Sequence, residues 1–171
     1  GSGIGGGLIV DGAIYRGSGG GAVEIGHLFV RLPGESPTKL EHAASGWGIG
    51  RYARERLAAG AVSRLSGRTD VSGADVSVAA AEGDLFALGV IDRAVRAMIQ
   101  GLSHAVTLLA PRRIILGGGV SLMPARLWLD PIREGLEPWV FPQFRGTFDV
   151  VPAALGEEVV IHGALALARS A

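Results

Sequence analysis

The stretch from residue 88 to Pro111 leaves the chain the fewest choices. Leu88, Ile91, Val95, Met98, Leu102, Val106 and Leu109 recur at intervals of three or four, the spacing that aligns side chains on one face of an α-helix. Asp92, Arg93 and Arg96 fall on the opposite face, and Pro111 stops the helix. Its second half is apolar nearly all round, so that half is expected to be buried against a sheet. Around this helix stand short apolar runs that leave into glycines. Leu8, Ile9 and Val10 precede Asp11-Gly12, Ala13, Ile14 and Tyr15 follow it, and Ile114, Ile115 and Leu116 run into Gly117, Gly118 and Gly119. Strands separated by helices, each leaving into glycines, indicate an α/β fold.

Finer signals fill in the order of elements. Asp-Gly between two β-type runs is a hairpin signal, because both turn residues must take positive φ. Residues 28–32 read as a strand ended by Pro33-Gly34. Ser45 is placed to cap a helix over 46–59, with Ile49, Tyr52, Ala53 and Leu57 on one face and Arg51, Arg54, Glu55 and Arg56 mostly on the other. A loop over 66–74, a helix over 75–81 and a helix near 124–136 are expected, the last in a region broken by Pro124, Pro131, Pro138 and Pro142. A strand over 148–151 precedes a closing helix over 157–169, with glutamates at its positive end and an arginine at the other.

Composition narrows the function. Sixteen Lys and Arg balance sixteen Asp and Glu, which argues against a dedicated nucleic-acid binder with a basic face. The absence of cysteine excludes a disulfide framework and a thiolate metal site. Mean hydropathy of +0.36 excludes a disordered chain. The longest uncharged helical stretch, 97–111, falls short of the roughly 18 residues a membrane-spanning helix needs. A chain of 171 residues suits one domain or part of a two-domain protein. It opens on GSGIGGG, a glycine loop with no strand before it, so the chain is expected to be a piece of a longer protein.

Glycines at 1–7 and 117–119 allow backbone amides to approach an anion closely, and two such loops in one α/β domain suit the two ends of a nucleotide. Neither has the Gly-Lys-Ser/Thr of a Walker loop; Lys39 is the only lysine and stands far away in sequence. The alternative is tight turns at strand ends. Glu24-Ile25-Gly26-His27 and Glu41-His42 supply carboxylates and an imidazole that together suit the hydroxyls of a polyol such as a sugar. Taken singly, a Glu-x-x-His reads better as an exposed glutamate and a structural histidine. A zinc site from His27, His42 and a carboxylate is conceivable, although the spacing fits no standard pattern. Trp47, Trp128 and Trp139 read as core or interface residues, with Trp47 near enough to Glu41 in sequence to wall a sugar pocket.

These pieces in this order resemble the ROK family (repressor, open reading frame, kinase). GSGIGGGLIVDGAIYRG is similar to its phosphate-binding loop and hairpin, and GGGAVEIGH to its Gly-Ala-x-Glu-Ile-Gly-His signature. LEHAASGWGIG resembles its Leu-Glu-x-x-x-Ser-Gly segment, RRIILGGGVS its nucleotide-side glycine motif and VVIHGALALA its last helix. The resemblance implies the C-terminal half of an actin/hexokinase/Hsp70-like (ribonuclease H-like) two-domain fold, with residues 1–171 forming one C-terminal domain and the N-terminal catalytic domain absent. It implies ATP with Mg2+, held near Gly3, Ile4, Gly5, Gly6 and Gly7 and near Gly117, Gly118 and Gly119. It implies a sugar bound by Glu24, His27 and Glu41, a homodimer and a cytoplasmic protein.

Two departures stand out. The family's cysteine knuckle, which binds zinc together with the histidine, is replaced by the shorter LFVRLPGESPTKL, so no zinc is expected and the placement of Glu41 is left open. The family's catalytic aspartate belongs to the N-terminal domain, and nothing here replaces it: Asp11 reads as a turn residue, Asp84 and Asp92 as helix residues. The leading reading is therefore the ATP- and sugar-binding half of a sugar kinase, inactive alone and partnered by the N-terminal domain of its parent chain. The alternative is the sugar sensor of a ROK-type repressor, the one reading that would bring in nucleic acid. A third is a degenerate body that only oligomerises.

Overall fold

Asp11 and Gly12 take the left-handed backbone that a two-residue hairpin demands, with φ of 51° and 80°. They join β1 (Leu8–Val10) to β2 (Ala13–Tyr15) with Leu8 opposite Tyr15 and Val10 opposite Ala13. The computed structural model describes residues 3–169, so Gly1 and Ser2 of the first glycine cluster lie outside the described residues.

A second hairpin pairs β3 (Phe29–Val30) with β4 (Thr38–Lys39), placing Phe29 opposite Lys39. Only part of the expected 28–32 strand is paired, and Gly34, at φ 75°, turns the chain after Pro33. β4 runs straight into α1 (Leu40–Ala44), whose first amide donates to the Leu28 carbonyl at 2.8 Å. Neither element was expected, because two and five residues are too few for a periodic pattern to show.

The Ser45 cap holds as read: its Oγ accepts from Gly48 N at 3.1 Å and opens α2 (Gly46–Ala58). In α3 (Gly73–Ala81), Ser72 and Asp75 form a reciprocal capping box, which starts the helix two residues earlier than the apolar pattern implied. Asp84 precedes α4 (Leu85–Leu109) as its cap rather than lying within it. Its carboxylate accepts from Ala87 N at 2.9 Å, from Arg64 N at 2.7 Å and from Ser63 Oγ at 3.0 Å, tying the 63–66 turn to the helix start. Ala110 closes α4 in the left-handed region immediately before Pro111.

After α4 come β5 (Arg113–Leu116), α5 (Leu129–Leu136), β6 (Asp149–Pro152) and α6 (Val159–Arg169), joined by short 3-10 turns. β5 and β6 pair in parallel, with Arg113 opposite Asp149 and Leu116 opposite Pro152. Among the described residues the strands make three two-stranded sheets.

The core gathers on α4. Ile91, Val95, Met98, Leu102 and Val106 are buried as the spacing predicts, but Leu109 and its neighbour Leu108 are exposed. The second half of α4 is not covered by a broad sheet. It packs mainly on α1 and α5, where glycines allow close approach: a Cβ on Gly101 would strike the Leu40 side chain, and one on Gly135 would strike Ile99. α2 and α3 cross as closely, since a Cβ on Gly73 would lie 2.5 Å from the Gly46 carbonyl oxygen. Arg93 also departs from its expected solvent face. It donates to both Glu35 oxygens, at 2.7 and 2.6 Å, and its guanidinium lies 4.0 Å over the Tyr52 ring. Among the described residues no helix is long and apolar enough to cross a membrane.

Candidate functional site

Gly26 explains how the first glycine loop meets the Glu-Ile-Gly-His segment. A Cβ there would run into the Ile4 carbonyl oxygen, and a Cβ on Gly6 would lie 2.7 Å from the Val23 carbonyl oxygen. The loop from Gly3 to Gly7 therefore rests directly on residues 23–26. Val23 has φ of 68°, a costly backbone for a β-branched residue and one that sequence reading did not flag. Its carbonyl accepts from Ile25 N at 2.8 Å, and a 3-10 turn over Ile25–His27 follows, with His27 N donating to the Glu24 carbonyl at 3.0 Å. Glu24 and His27 both end up exposed.

The β3–β4 hairpin then returns the chain to this turn. Because Phe29 faces Lys39 and Leu40 is tied to Leu28, the first turn of α1 arrives beside His27. Glu41 Oε1 stands 3.8 Å from His27 Nε2 and 3.9 Å from His42 Nε2. A Cβ on Gly3 would lie 2.6 Å from Glu41 Oε2, so the carboxylate sits against the start of the glycine loop. The short, cysteine-free stretch thus brings His27 and Glu41 together by hairpin register alone. Lys39, discounted on sequence distance, has its Nζ 3.0 Å from His27 Nδ1. The available signal was its position two residues before Glu41.

Other candidates are placed less directly. The Glu24 carboxylate has no protein partner among the described residues. His42 meets Trp47 edge-on at 5.1 Å, and Arg51 lies 5.2 Å from the same ring, so Trp47 reaches Glu41 through His42. Trp128 is buried in the core, whereas Trp139 is exposed. Two of the arginines of α2 have structural contacts: Arg54 donates to the Val71 carbonyl at 2.5 Å and Arg51 lies over the Trp47 ring.

The second glycine cluster leaves β5 as expected. Gly118 has φ of 85°, Ser121 Oγ donates to its carbonyl at 2.7 Å, and a Cβ on Gly117 would lie 3.1 Å from Ala153 Cβ. Val120 packs on Gly46 at the head of α2, linking this cluster to the helix that follows Glu41.

Chemically, the arrangement offers a carboxylate between two imidazoles, and beside it a glycine loop where the amides of Ile4 to Gly7 donate to no protein acceptor among the described residues. Gly5 and Gly7 have open space where a side chain would be, leaving those amides approachable by an anion. Among the described residues no three His, Asp or Glu side chains are arranged to hold a metal ion. Two hollows of about 560 and 710 Å³ are lined by other residues, the first around Arg93 and Tyr52 and the second around Ile99 and Trp139. Neither includes Glu24, His27, Glu41 or the glycine loops.

Comparison with known proteins gives a consistent result. A ROK family sequence profile matches residues 1–171. A glucokinase of Thermotoga maritima is 33% identical over 99% of this chain and 56% of its own length. A ROK family glucokinase from Streptomyces griseus, solved with glucose and AMPPNP, superimposes with a TM-score of 0.85 and 34% identity over 100% of this chain and 59% of its own. A ROK family transcriptional regulator, a homologue of the E. coli MLC protein, gives a TM-score of 0.77 at 26% identity over 88% of this chain and 39% of its own. The chain spans about half the length of the curated relatives it matches.

Proposed function

The chain belongs to the ROK family, and from that premise we propose that it is the ATP- and sugar-binding C-terminal half of a sugar kinase. The fold is the α/β, actin/hexokinase-like fold of that family's sugar kinases. The parent protein transfers the γ-phosphate of ATP to a hexose hydroxyl. The observation that carries this reading is Glu41: its carboxylate faces His27 on one side and Gly3 of the glycine loop on the other, so a group that accepts from sugar hydroxyls adjoins one suited to phosphate. The Streptomyces glucokinase, with glucose and a nucleotide analogue bound, supports the pairing.

The residues divide the work by chemistry. Glu24 and Glu41 accept hydrogen bonds from hydroxyls, and His27 donates one. Gly3, Ile4, Gly5, Gly6 and Gly7 turn free amides toward phosphate. Gly117, Gly118 and Gly119 form the wall for the adenosine end. When bound, ATP supplies the phosphoryl group and Mg2+ shields its charge. No side chain of this chain is assigned to the ion, and no zinc is assigned.

No catalytic base is assigned either. Asp11 is spent in its turn, Asp84 caps α4, and Asp92 pairs with Arg96 at 2.7 Å. The base and the opposite wall of the cleft come from the N-terminal domain of the parent chain, with residues 1–171 as one C-terminal domain. A cytoplasmic homodimer completes the reading.

A sugar sensor within a repressor is the second reading, favoured by the likeness to the ROK regulator. The two separate in calorimetry with glucose and AMPPNP, combined with a coupled assay for ADP. A kinase half binds both ligands and shows no turnover alone. Sugar binding without nucleotide binding favours the sensor. Sugar-dependent ADP release by this chain would overturn the half-enzyme reading, and binding of neither ligand would overturn the site.

A further inference from the structure

We propose that Lys39 is a positioning residue that holds His27 in a single tautomer. The inference rests on the sugar-site reading for its functional consequence, but the tautomer itself does not. Lys39 Nζ lies 3.0 Å from His27 Nδ1. An ammonium has three N–H donors and no acceptor, so Nδ1 must offer its lone pair and the ring's proton must sit on Nε2. An imidazolium, with both nitrogens protonated, would face the ammonium with a donor and a like charge. The backbone keeps the lysine in range: β3–β4 register sets Lys39 opposite Phe29, and the Leu40 amide bonds to Leu28, the neighbour of His27.

The consequence appears at the other nitrogen. Nε2 stands 3.8 Å from Glu41 Oε1, too far for a direct hydrogen bond. One hydroxyl fits between them at about 2.8 Å from each, accepting from Nε2–H and donating to the carboxylate. With the opposite tautomer, Nε2 and Glu41 would both be acceptors, and one hydroxyl could not satisfy them together. Lys39 therefore acts on a ligand it does not touch, by deciding which nitrogen of His27 donates.

The test uses long-range ¹H–¹⁵N correlation of protein labelled at the histidine imidazoles, at about pH 8 where imidazoles are neutral. His27 is assigned by its loss in His27→Gln. The expected result is a single tautomer with the proton on Nε2, moving to an averaged mixture in Lys39→Met and returning in Lys39→Arg, which also only donates. Glucose affinity, by calorimetry, is expected to fall about fivefold in Lys39→Met and to recover in Lys39→Arg. A wild-type His27 carrying its proton on Nδ1, or a Lys39→Met spectrum identical to wild type, overturns the proposal and needs no ligand. Glucose affinity unchanged in Lys39→Met overturns its functional half. A fixed tautomer in a protein that binds no sugar supports the lysine's role and sinks the sugar-site reading instead.

Discussion

Helices α1 to α5 and strands β1, β2 and β5 treat apolar residues very differently, whereas Val30 of β3 and Val150 of β6 are buried like the helical core. Leu40, Ile49, Val76, Val106, Ile132 and Leu136 on α1 to α5 are 0% exposed. On β1, β2 and β5, Ile9, Ile14 and Ile115 are 61%, 50% and 62% exposed, and Val160 and Ile161 of α6 are exposed as well. The cause lies in how each element satisfies itself. A helix closes its own backbone bonds and needs a neighbour only for one stripe, and α4 has such neighbours on several sides. A strand needs lateral partners and cover on its faces, and a lone two-stranded ribbon has little of either. Parallel pairs such as β5–β6 normally lie within sheets covered on both faces. The candidate site sits on the seam: Glu41 belongs to the helical half, and the loop from Gly3 belongs to the strand half.

If this contrast is energetic as well as geometric, one truncation should be costly and its counterpart nearly silent. Leu40→Ala empties a fully buried position packed against Gly101 and is expected to cost about 3 kcal/mol. Ile115→Ala is expected to change stability by less than about 0.5 kcal/mol, as an exposed surface substitution does. Urea unfolding followed by circular dichroism at a helical wavelength measures both. Equal shifts in the two midpoints would break the comparison and show the strand half to be part of the same cooperative core.

A smaller effect is expected at the seam. Gly26→Ala places a methyl group against the Ile4 carbonyl oxygen and must push the glycine loop away from the His27 turn. Helical stability should fall less than in Leu40→Ala, because Ile4 and the Ile25–His27 turn pack on the edge of the core beside α1 and α4 and not inside it. Binding of AMPPNP and glucose should both weaken, by about tenfold, since the loop and Glu41 lose their shared placement. Loss of one ligand's affinity alone would mean that the two halves of the site are positioned independently.

How much was legible in the sequence follows the same division. Elements with an internal signal were readable: the Asp11-Gly12 turn, the Ser45 cap, the long period of α4 and the exit of β5 into glycines. The family resemblance supplied Glu24, His27 and Glu41 as candidates, yet not what brings His27 and Glu41 together. That depends on β4 and α1, each too short for a period to repeat, and on a register that forms only when the hairpin closes. The meeting of Lys39 with His27 was illegible for the same reason: proximity came from pairing with Phe29, which no local spacing encodes. Arg93 shows the opposite error, where a charged residue on the polar side of a helical wheel meets Glu35 and Tyr52 instead of water.

The smallest expected effect is acid sensitivity, and it sharpens the comparison because two of the carboxylates that carry it cap α3 and α4, and the third, Glu35 in the β3–β4 loop, is held by Arg93 of α4. Ser72 hydroxyl and amide bonds, with Arg68 beside them, hold Asp75 at about 2, against an ordinary 3.8. Hydrogen bonds from Arg93 hold Glu35 below its usual range. Burial pushes Asp84 up, but bonds from the Arg64 and Ala87 amides and the Ser63 hydroxyl outweigh it, leaving that group lowered too. A carboxylate whose folded pKa is depressed stabilises the fold above its unfolded pKa and ceases to do so as pH falls through the folded one. The midpoint of thermal unfolding should therefore stay level from about pH 7 to 5 on account of these groups and fall between about pH 4 and 2. In Asp75→Asn the midpoint should start lower at neutral pH and fall less in acid, because the capping carboxylate is no longer there to be protonated. In the strand half, Asp149 is lowered by the Arg113 guanidinium, but that pair is exposed and screened by salt. Asp149→Asn should therefore leave the helical midpoint and its acid slope unchanged. An acid slope that moved with Asp149 and not with Asp75 would place the pH-sensitive stability in the strands and reverse the assignment.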